Sequence, residues 1–287
     1  MKLLMLRSMW SAPPRLATMI AQTVDGGFDG VEGPIPRDAA ERAALRTALL
    51  DHDLCFIAEA TTGVRPPHPT GADWWVPHPD ATPDDHLADL KWTLDHAPEM
   101  GARCVSTMTG YDAWSFAQQL DFFGRAVELE SVAGVAVGFE THRCRSLFNP
   151  WVARDLLLQL PALKLTCDLS HWCVVCERLI HTERDVLRLV AERALHVQCR
   201  VGYAQHAQVN DPFAPEHAAA VAAHEQWWDM IWDAQQARGV ATTTMTAEWG
   251  AEGYMQQLPH TCAPVADLWD MTRRFAQRQR ERFALRV

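Results

Sequence analysis

Four side chains able to hold a metal ion or move a proton follow short apolar runs. Glu140 comes after Val135-Ala136-Val137-Gly138-Phe139, Asp168 after Leu163-Lys164-Leu165-Thr166-Cys167, His196 lies within Leu195–Arg200, and Glu248 follows Met245-Thr246-Ala247. Glu140 and Asp168 are 28 residues apart, as are Asp168 and His196, and Glu248 comes 52 residues later. One strand plus one helix takes about that length, so the recurrence sets one such group per strand end. At a barrel mouth, three unpaired buried carboxylates would each cost several kcal/mol. A divalent cation removes that cost. Three carboxylates and one imidazole suit Mn²⁺ first, with Mg²⁺, Co²⁺ or Zn²⁺ as alternatives, since closed zinc sites use more sulfur and nitrogen. Any one of the four alone would more often be a helix cap or an ion-pair partner, and it is their common register that favours a site.

The elements that must position these groups alternate along the whole chain. Strands are predicted at Leu3–Leu6, Gly30–Glu32, Leu54–Ala58, Arg103–Thr107, Val135–Glu140, Leu163–Asp168, Leu195–Arg200 and Ala241–Glu248. Eight is the number that closes a parallel barrel, so residues 1–287 are read as one (β/α)8 TIM-barrel domain. Between strands, Thr82-Pro83-Asp84-Asp85 carries an N-cap, a proline in the first turn and a carboxylate three residues on, followed by Leu87, Leu90, Leu94 and Ala97 at helical spacing. Thr182-Glu183-Arg184-Asp185 predicts a second start of that kind, with Val186, Leu189 and Val190 inward. A last helix is expected from about Pro264 to Phe283, with Val265, Leu268, Met271 and Phe275 inward and its arginines as a solvated face.

Composition narrows the partners. With 26 Lys and Arg against 36 Asp and Glu, the net charge is −10, which disfavours nucleic acid. The apolar start Met1–Leu6 is too short for a signal segment and no run approaches a membrane span, so a cytoplasmic protein with no membrane partner is expected. Eight scattered cysteines read as reduced thiols, and the lone pair Cys173-Val-Val-Cys176 is weak evidence for zinc. Trp227, Trp228 and Trp232 share a helix face that would pack on the barrel or on another subunit, which leaves a homo-oligomer open.

Together these residues resemble the xylose-isomerase-like barrel family, which includes ketose 3-epimerases, inosose and hydroxypyruvate-type isomerases and, more distantly, endonuclease IV. The likeness spans nearly the whole chain and rests on Gly27-Phe28-Asp29-Gly30-Val31-Glu32, Met100-Gly101-Ala102-Arg103, Gly138-Phe139-Glu140-Thr141-His142-Arg143, Asp168-Leu169-Ser170-His171 and Ala247-Glu248-Trp249-Gly250. It implies Glu140, Asp168, His196 and Glu248 as metal ligands, His171 beside the substrate, and Glu140 with Glu248 as the acid–base pair across the reacting carbon of an α-hydroxy ketone, through an enediolate. The chain departs from the ketose epimerases after Glu140, where Thr141-His142-Arg143-Cys144-Arg145 replaces their Pro-hydrophobic-Asn sequence. Arg143 and Arg145 point to a carboxylate, a phosphate or a larger glycoside, or else to ion pairs at the rim.

Further contacts follow from strand alternation and loop length. His196, Gln198 and Arg200 share one strand face, making Gln198 and Arg200 substrate contacts. The proline-rich stretch Thr61–Ala81 and Gly202–Pro215 are long connections of the kind that form lids, and the Trp74-Trp75 pair would close on the ligand with Trp75 as a contact. Trp249 and Trp172 adjoin site residues and could stack on a sugar, although tryptophans at strand ends more often pack in the core. Glu32, His142 and His206 are weaker candidates. The expected activity is a metal-dependent sugar isomerase or epimerase on a small-molecule sugar or sugar derivative. Competing readings are a lyase or deglycosidase on an oxidised glycoside, an endonuclease IV-like phosphodiesterase, which would need more ligands and a basic groove, and a barrel that only binds.

Overall fold

A computed structural model describes residues 1–71, 74–251 and 253–286. The strands are β1 Lys2–Ser8, β2 Gly30–Pro34, β3 Cys55–Thr61, β4 Val105–Met108, β5 Val137–Glu140, β6 Leu165–Cys167, β7 Ala194–Gln198 and β8 Thr242–Ala247. All pair in parallel with their sequence neighbours, and β8 returns to β1 from Lys2–Thr242 through Arg7–Ala247, which closes the (β/α)8 barrel. Helices α1 Leu16–Asp25, α2 Ala39–Asp51, α3 Pro83–His96, α4 Phe116–Ala133, α5 Pro150–Gln159, α6 Ser170–Val175, α7 Arg184–Arg193, α8 Ala218–Ala237 and α9 Leu268–Ala284 surround it. Among the described residues no helix is long and apolar enough to cross a membrane, and all eight cysteines are free thiols.

Local chemistry starts and stops the helices. Thr82 and Asp85 form the expected reciprocal capping box of α3, and Ser115 with Gln118 forms another at α4. Thr182 does not cap α7: that helix begins after Glu183 without a side-chain cap, because the Thr182 hydroxyl donates to the Glu183 carboxylate instead. Its buried stripe runs through Val186, Leu187 and Val190, with Leu189 only partly covered. The last helix starts at Leu268, capped by Asp267, and not at Pro264. Pro264 and Val265 are held in a bridge to Gln257 and Gln256, which leaves Val265 exposed. The arginines here are not simply solvated: Arg278 and Arg282 of α9, and Arg286 just beyond it, pair with Glu225, Asp229 and Asp233 along α8. Trp227, Trp228 and Trp232 of α8 are buried within the chain, Trp228 against Phe275 and Trp232 against Phe283 of α9.

The barrel interior is graded from floor to mouth. Leu6, Ile57 and Cys104, with Leu4, Ala136 and Leu195 beside them, form an apolar floor. Above it lies a polar layer in which His196 reaches Thr244, Thr246 and Glu32. Because side chains alternate along a strand, the next inward positions on β6, β7 and β8 are Asp168, Gln198 and Glu248, at the C-terminal rim where barrel active sites are built.

Candidate active site

Asp168, Gln198, Glu248, Glu140 and Glu59 bring acidic or amide groups to the rim, and Arg200, two residues beyond Gln198, lies among them. The Arg200 guanidinium bonds Asp168 Oδ2 and stands 3.6 Å from Glu248, while its Nε donates to Ser170 Oγ at 3.2 Å. Asp168 is fixed further by the backbone N–H of Ser170, at 3.0 Å. Arg200 also donates to His171 Nε2 at 2.7 Å, so the imidazole proton belongs on Nδ1, which has no partner among the described residues. Burial, then His142 and Arg200, hold His171 well below the usual histidine range, and it is neutral.

Negative charge outnumbers its protein partners here. Among the described residues both oxygens of Glu140 are buried without a hydrogen bond, as are Glu248 Oε2 and Gln198 Oε1. Burial, and then the carboxylates of Glu248 and Asp168, push Glu140 well above the usual carboxylate range. Glu248 is pushed up as well, by burial and by Asp168, with Arg200 opposing. Glu59 rises to about 8, through burial and the nearby Glu32. One guanidinium does not balance this set, and buried oxygens without hydrogen-bond donors are the donor chemistry of a hard divalent cation. One atom from each of Glu140, His142 and His171 also falls within a 4.8 Å group.

The structure brings Glu140, Asp168 and Glu248 together with Arg200, Gln198 and His171, but it does not bring His196 to them. His196 Nδ1 meets Thr244 Oγ1 at 2.7 Å, and its Nε2 meets Glu32 and Thr246, each at 3.1 Å. The reason is register: Thr166 pairs with His196, so Asp168, two residues on, lies level with Gln198. Gln198 Nε2 donates to Glu32 at 3.0 Å and leaves its carbonyl oxygen free for the site. Burial alone would raise Glu32, but His196 with the hydroxyls of Thr246 and Ser106 holds it below the usual carboxylate range.

Two tryptophans fall outside the site. With Glu248 facing the mouth, Trp249 must face outward, and it packs edge-on against Phe275 of α9 at 5.3 Å. Trp172 is core, with its indole N–H on the carbonyl of Leu147. Trp75 does cover the mouth, 6.0 Å from Trp10 and 5.5 Å from Tyr254. Its neighbour Trp74 is 45% exposed, and residues 72 and 73 of this loop lie outside the described set. Among the described residues the fully buried Arg145 makes no ion pair: its guanidinium binds the backbone carbonyls of Thr62 and Trp75 and ties two points of the covering loop together. Arg143 lies over the Tyr254 ring at 4.9 Å, partly exposed at the rim.

Glu59 and Tyr254 escaped the sequence reading. Glu59 sits near the end of β3 at the inward phase of Glu32 and Glu140, a signal that alternation could have supplied. Tyr254, pushed up to about 12 by burial, comes from an irregular loop with no periodicity to announce it. Gly250 admits Trp10 over this loop, since a Cβ there would meet the indole at 1.9 Å. The mouth enclosed by Trp10, Glu59, Trp75, His142, Glu248 and Tyr254 leaves ≈ 10 Å³, about one water.

The family model of the xylose isomerase-like TIM barrel matches residues 20–235, and the chain belongs to that family. Solved structures of the same fold include D-allulose 3-epimerase from Methylomonas sp., 14% identical with a TM-score of 0.61 over 100% of this chain and 98% of that one. They also include 3-keto-D-glucoside 4-epimerase from E. coli, 11% identical with a TM-score of 0.62 over 98% and 100% of the two chains. A xylose isomerase-like TIM barrel protein from Mycobacterium smegmatis, in complex with magnesium, is 14% identical with a TM-score of 0.62 over 96% and 94%. At these identities the likeness is one of fold. No functionally curated protein matches the sequence.

Proposed function

We propose that the protein is a divalent-metal-dependent isomerase or epimerase that moves a proton at a carbon beside the carbonyl of a sugar or keto-sugar derivative, through an enediolate. The observation that carries this reading is Glu140: a buried carboxylate with both oxygens unbonded, sharing the mouth with Glu248. Sugar epimerases among the fold neighbours, one of them in complex with D-allulose, support the substrate class. Glu140, Asp168 and Glu248, with Gln198 Oε1 in the place expected of His196, would hold the cation. When bound, it supplies a Lewis acid for the carbonyl and hydroxyl oxygens and keeps the carboxylates ionised. A neighbour's complex with magnesium supports an oxygen-liganded ion of this kind.

The chain's own groups divide the remaining work. Glu140 and Glu248 stand on β5 and β8, across the mouth, so one removes the α-proton and the other returns one. Arg200 anchors Asp168 and steadies negative charge developing near Glu248. The free Nδ1–H of His171 donates to a substrate oxygen. Trp10, Trp75 and Tyr254 supply flat apolar walls for sugar C–H faces and exclude water. Arg143 at the rim favours a substrate with a carboxylate or a second sugar, and the same proton abstraction would also begin an elimination from an oxidised glycoside.

The test is turnover in heavy water with a panel of ketoses and keto-glycosides. The wild type should wash deuterium into the carbon next to the carbonyl. Replacing either glutamate, Glu140→Gln or Glu248→Gln, should cost at least about 10²–10⁴-fold in rate. Turnover with neither solvent exchange nor a primary isotope effect would exclude the enediolate route.

A further inference from the structure

A second cavity lies on the opposite side of Trp10, outside the barrel wall, between β1, β8, α1 and α9. It holds ≈ 320 Å³ and is bounded by Arg7, Gln22, Trp249 and Trp269 among others. Outward positions of a barrel strand normally carry aliphatic side chains against the helices, as Leu3 and Met5 do on β1. Arg7 occupies the next such position and is only 5% exposed. Among the described residues it has no carboxylate partner: its guanidinium lies over the Trp269 ring at 4.6 Å, reaches Gln22 Oε1 at 3.4 Å, and leaves Nε without an acceptor. The indole of Trp249, 2% exposed, borders the same cavity. Burial pulls Arg7 down to about 10.

We propose that this cavity is a binding site for a small carboxylate carrying a flat apolar body, held by the Arg7 guanidinium, with the indoles of Trp10, Trp249 and Trp269 in its walls. A buried guanidinium with no carboxylate partner among the described residues, lining an open space, is the complement of an anion. A single positive charge selects a monoanion over a phosphate dianion, and the size is at the lower end of small-molecule pockets. The site is separate from the carboxylate cluster, which repels anions, although Trp10 borders both cavities.

The probes are benzoate, its neutral analogue benzamide and inorganic phosphate, measured by calorimetric titration and thermal unfolding of the full chain. Benzoate should bind saturably and raise the Tm, while benzamide should not. Arg7→Met should weaken benzoate at least about 10-fold, the loss expected for a charge-assisted bond, and should unfold at the wild-type temperature or above without ligand, because it removes an unpaired buried charge. The proposal is overturned if benzoate gives no heat or shift, if Arg7→Met binds it as well as the wild type, or if phosphate binds more tightly. It also falls if Arg7→Met is markedly destabilised without ligand, since the guanidinium would then be a structural support.

Discussion

Replacing Glu140 by Gln should stabilise the metal-free protein and destabilise it relative to wild type once metal is added. Glu140 is 2% exposed, neither oxygen has a hydrogen-bond partner, and burial with Glu248 and Asp168 raises its proton affinity. A carboxyl group whose folded pKa is raised contributes stability that is fully present below the unfolded value of about 4.5 and lost as pH rises through the folded value. At pH 7.5 without metal, the chain therefore carries the cost of an unsatisfied buried group, roughly 1–3 kcal/mol. Gln leaves an unpartnered amide in its place but removes the charge and its repulsion from Glu248 and Asp168, which is the larger share of the cost. For a chain of this size each kcal/mol is worth about 2–4 °C, so Glu140→Gln in EDTA should melt roughly 2–10 °C above wild type at pH 7.5, with the gap closing towards pH 4.5. In Mn²⁺ at about 100 times its dissociation constant the wild type should gain about 2.7 kcal/mol, and the variant much less. Differential scanning calorimetry of both proteins with EDTA and with Mn²⁺ reads the crossing directly. If Glu140→Gln melts below wild type in EDTA, or metal raises both equally, Glu140 is not an unpaired ligand and the reasoning fails.

Two further outcomes follow. Gln198→Ala should lower bound metal per chain and, because it also removes the Nε2 donor to Glu32, cost about 1–3 kcal/mol, whereas His196→Ala should cost a similar amount through Glu32 and leave metal content unchanged; metal analysis beside urea unfolding separates the two. Stability should also fall as pH drops below 6.5, because His86 and His224, held by burial at about 3 and about 4, resist protonation when folded and accept it freely when unfolded. Each contributes up to about 1.4 kcal/mol per pH unit in that window, so His224→Gln should flatten the pH dependence of urea midpoints, and an unchanged slope would refute it.

The order of strands and helices was legible because apolar runs and capping residues are local signals. The strand ends were less so: β6 is Leu165–Cys167, shorter than the apolar run Leu163–Asp168, since pairing depends on neighbours far along the chain. The same limit explains His196 and Gln198. Both lie on one face of β7, and ligand chemistry favours the imidazole, but only the pairing of His196 with Thr166 decides which is level with Asp168. Trp249 was a misreading of another kind, because a residue adjacent to an inward glutamate on a strand must face outward. The pinning role of Arg145 depends on backbone carbonyls of Thr62 and Trp75, far away in sequence, which no side-chain pattern announces.

A mouth of ≈ 10 Å³ does not admit a hexose, so under the proposed function turnover would require displacement of the indole and phenol rings above the carboxylates. Arg145 holds the backbone at both Thr62 and Trp75, so such a displacement would either break these two bonds or turn the indole of Trp75 about a fixed backbone. Such gating steps run on microsecond-to-millisecond timescales, and product escape can then set the turnover number. Solvent viscosity, which slows such a displacement but not a proton transfer between buried groups, becomes the variable that distinguishes a gate-limited catalyst from a chemistry-limited one.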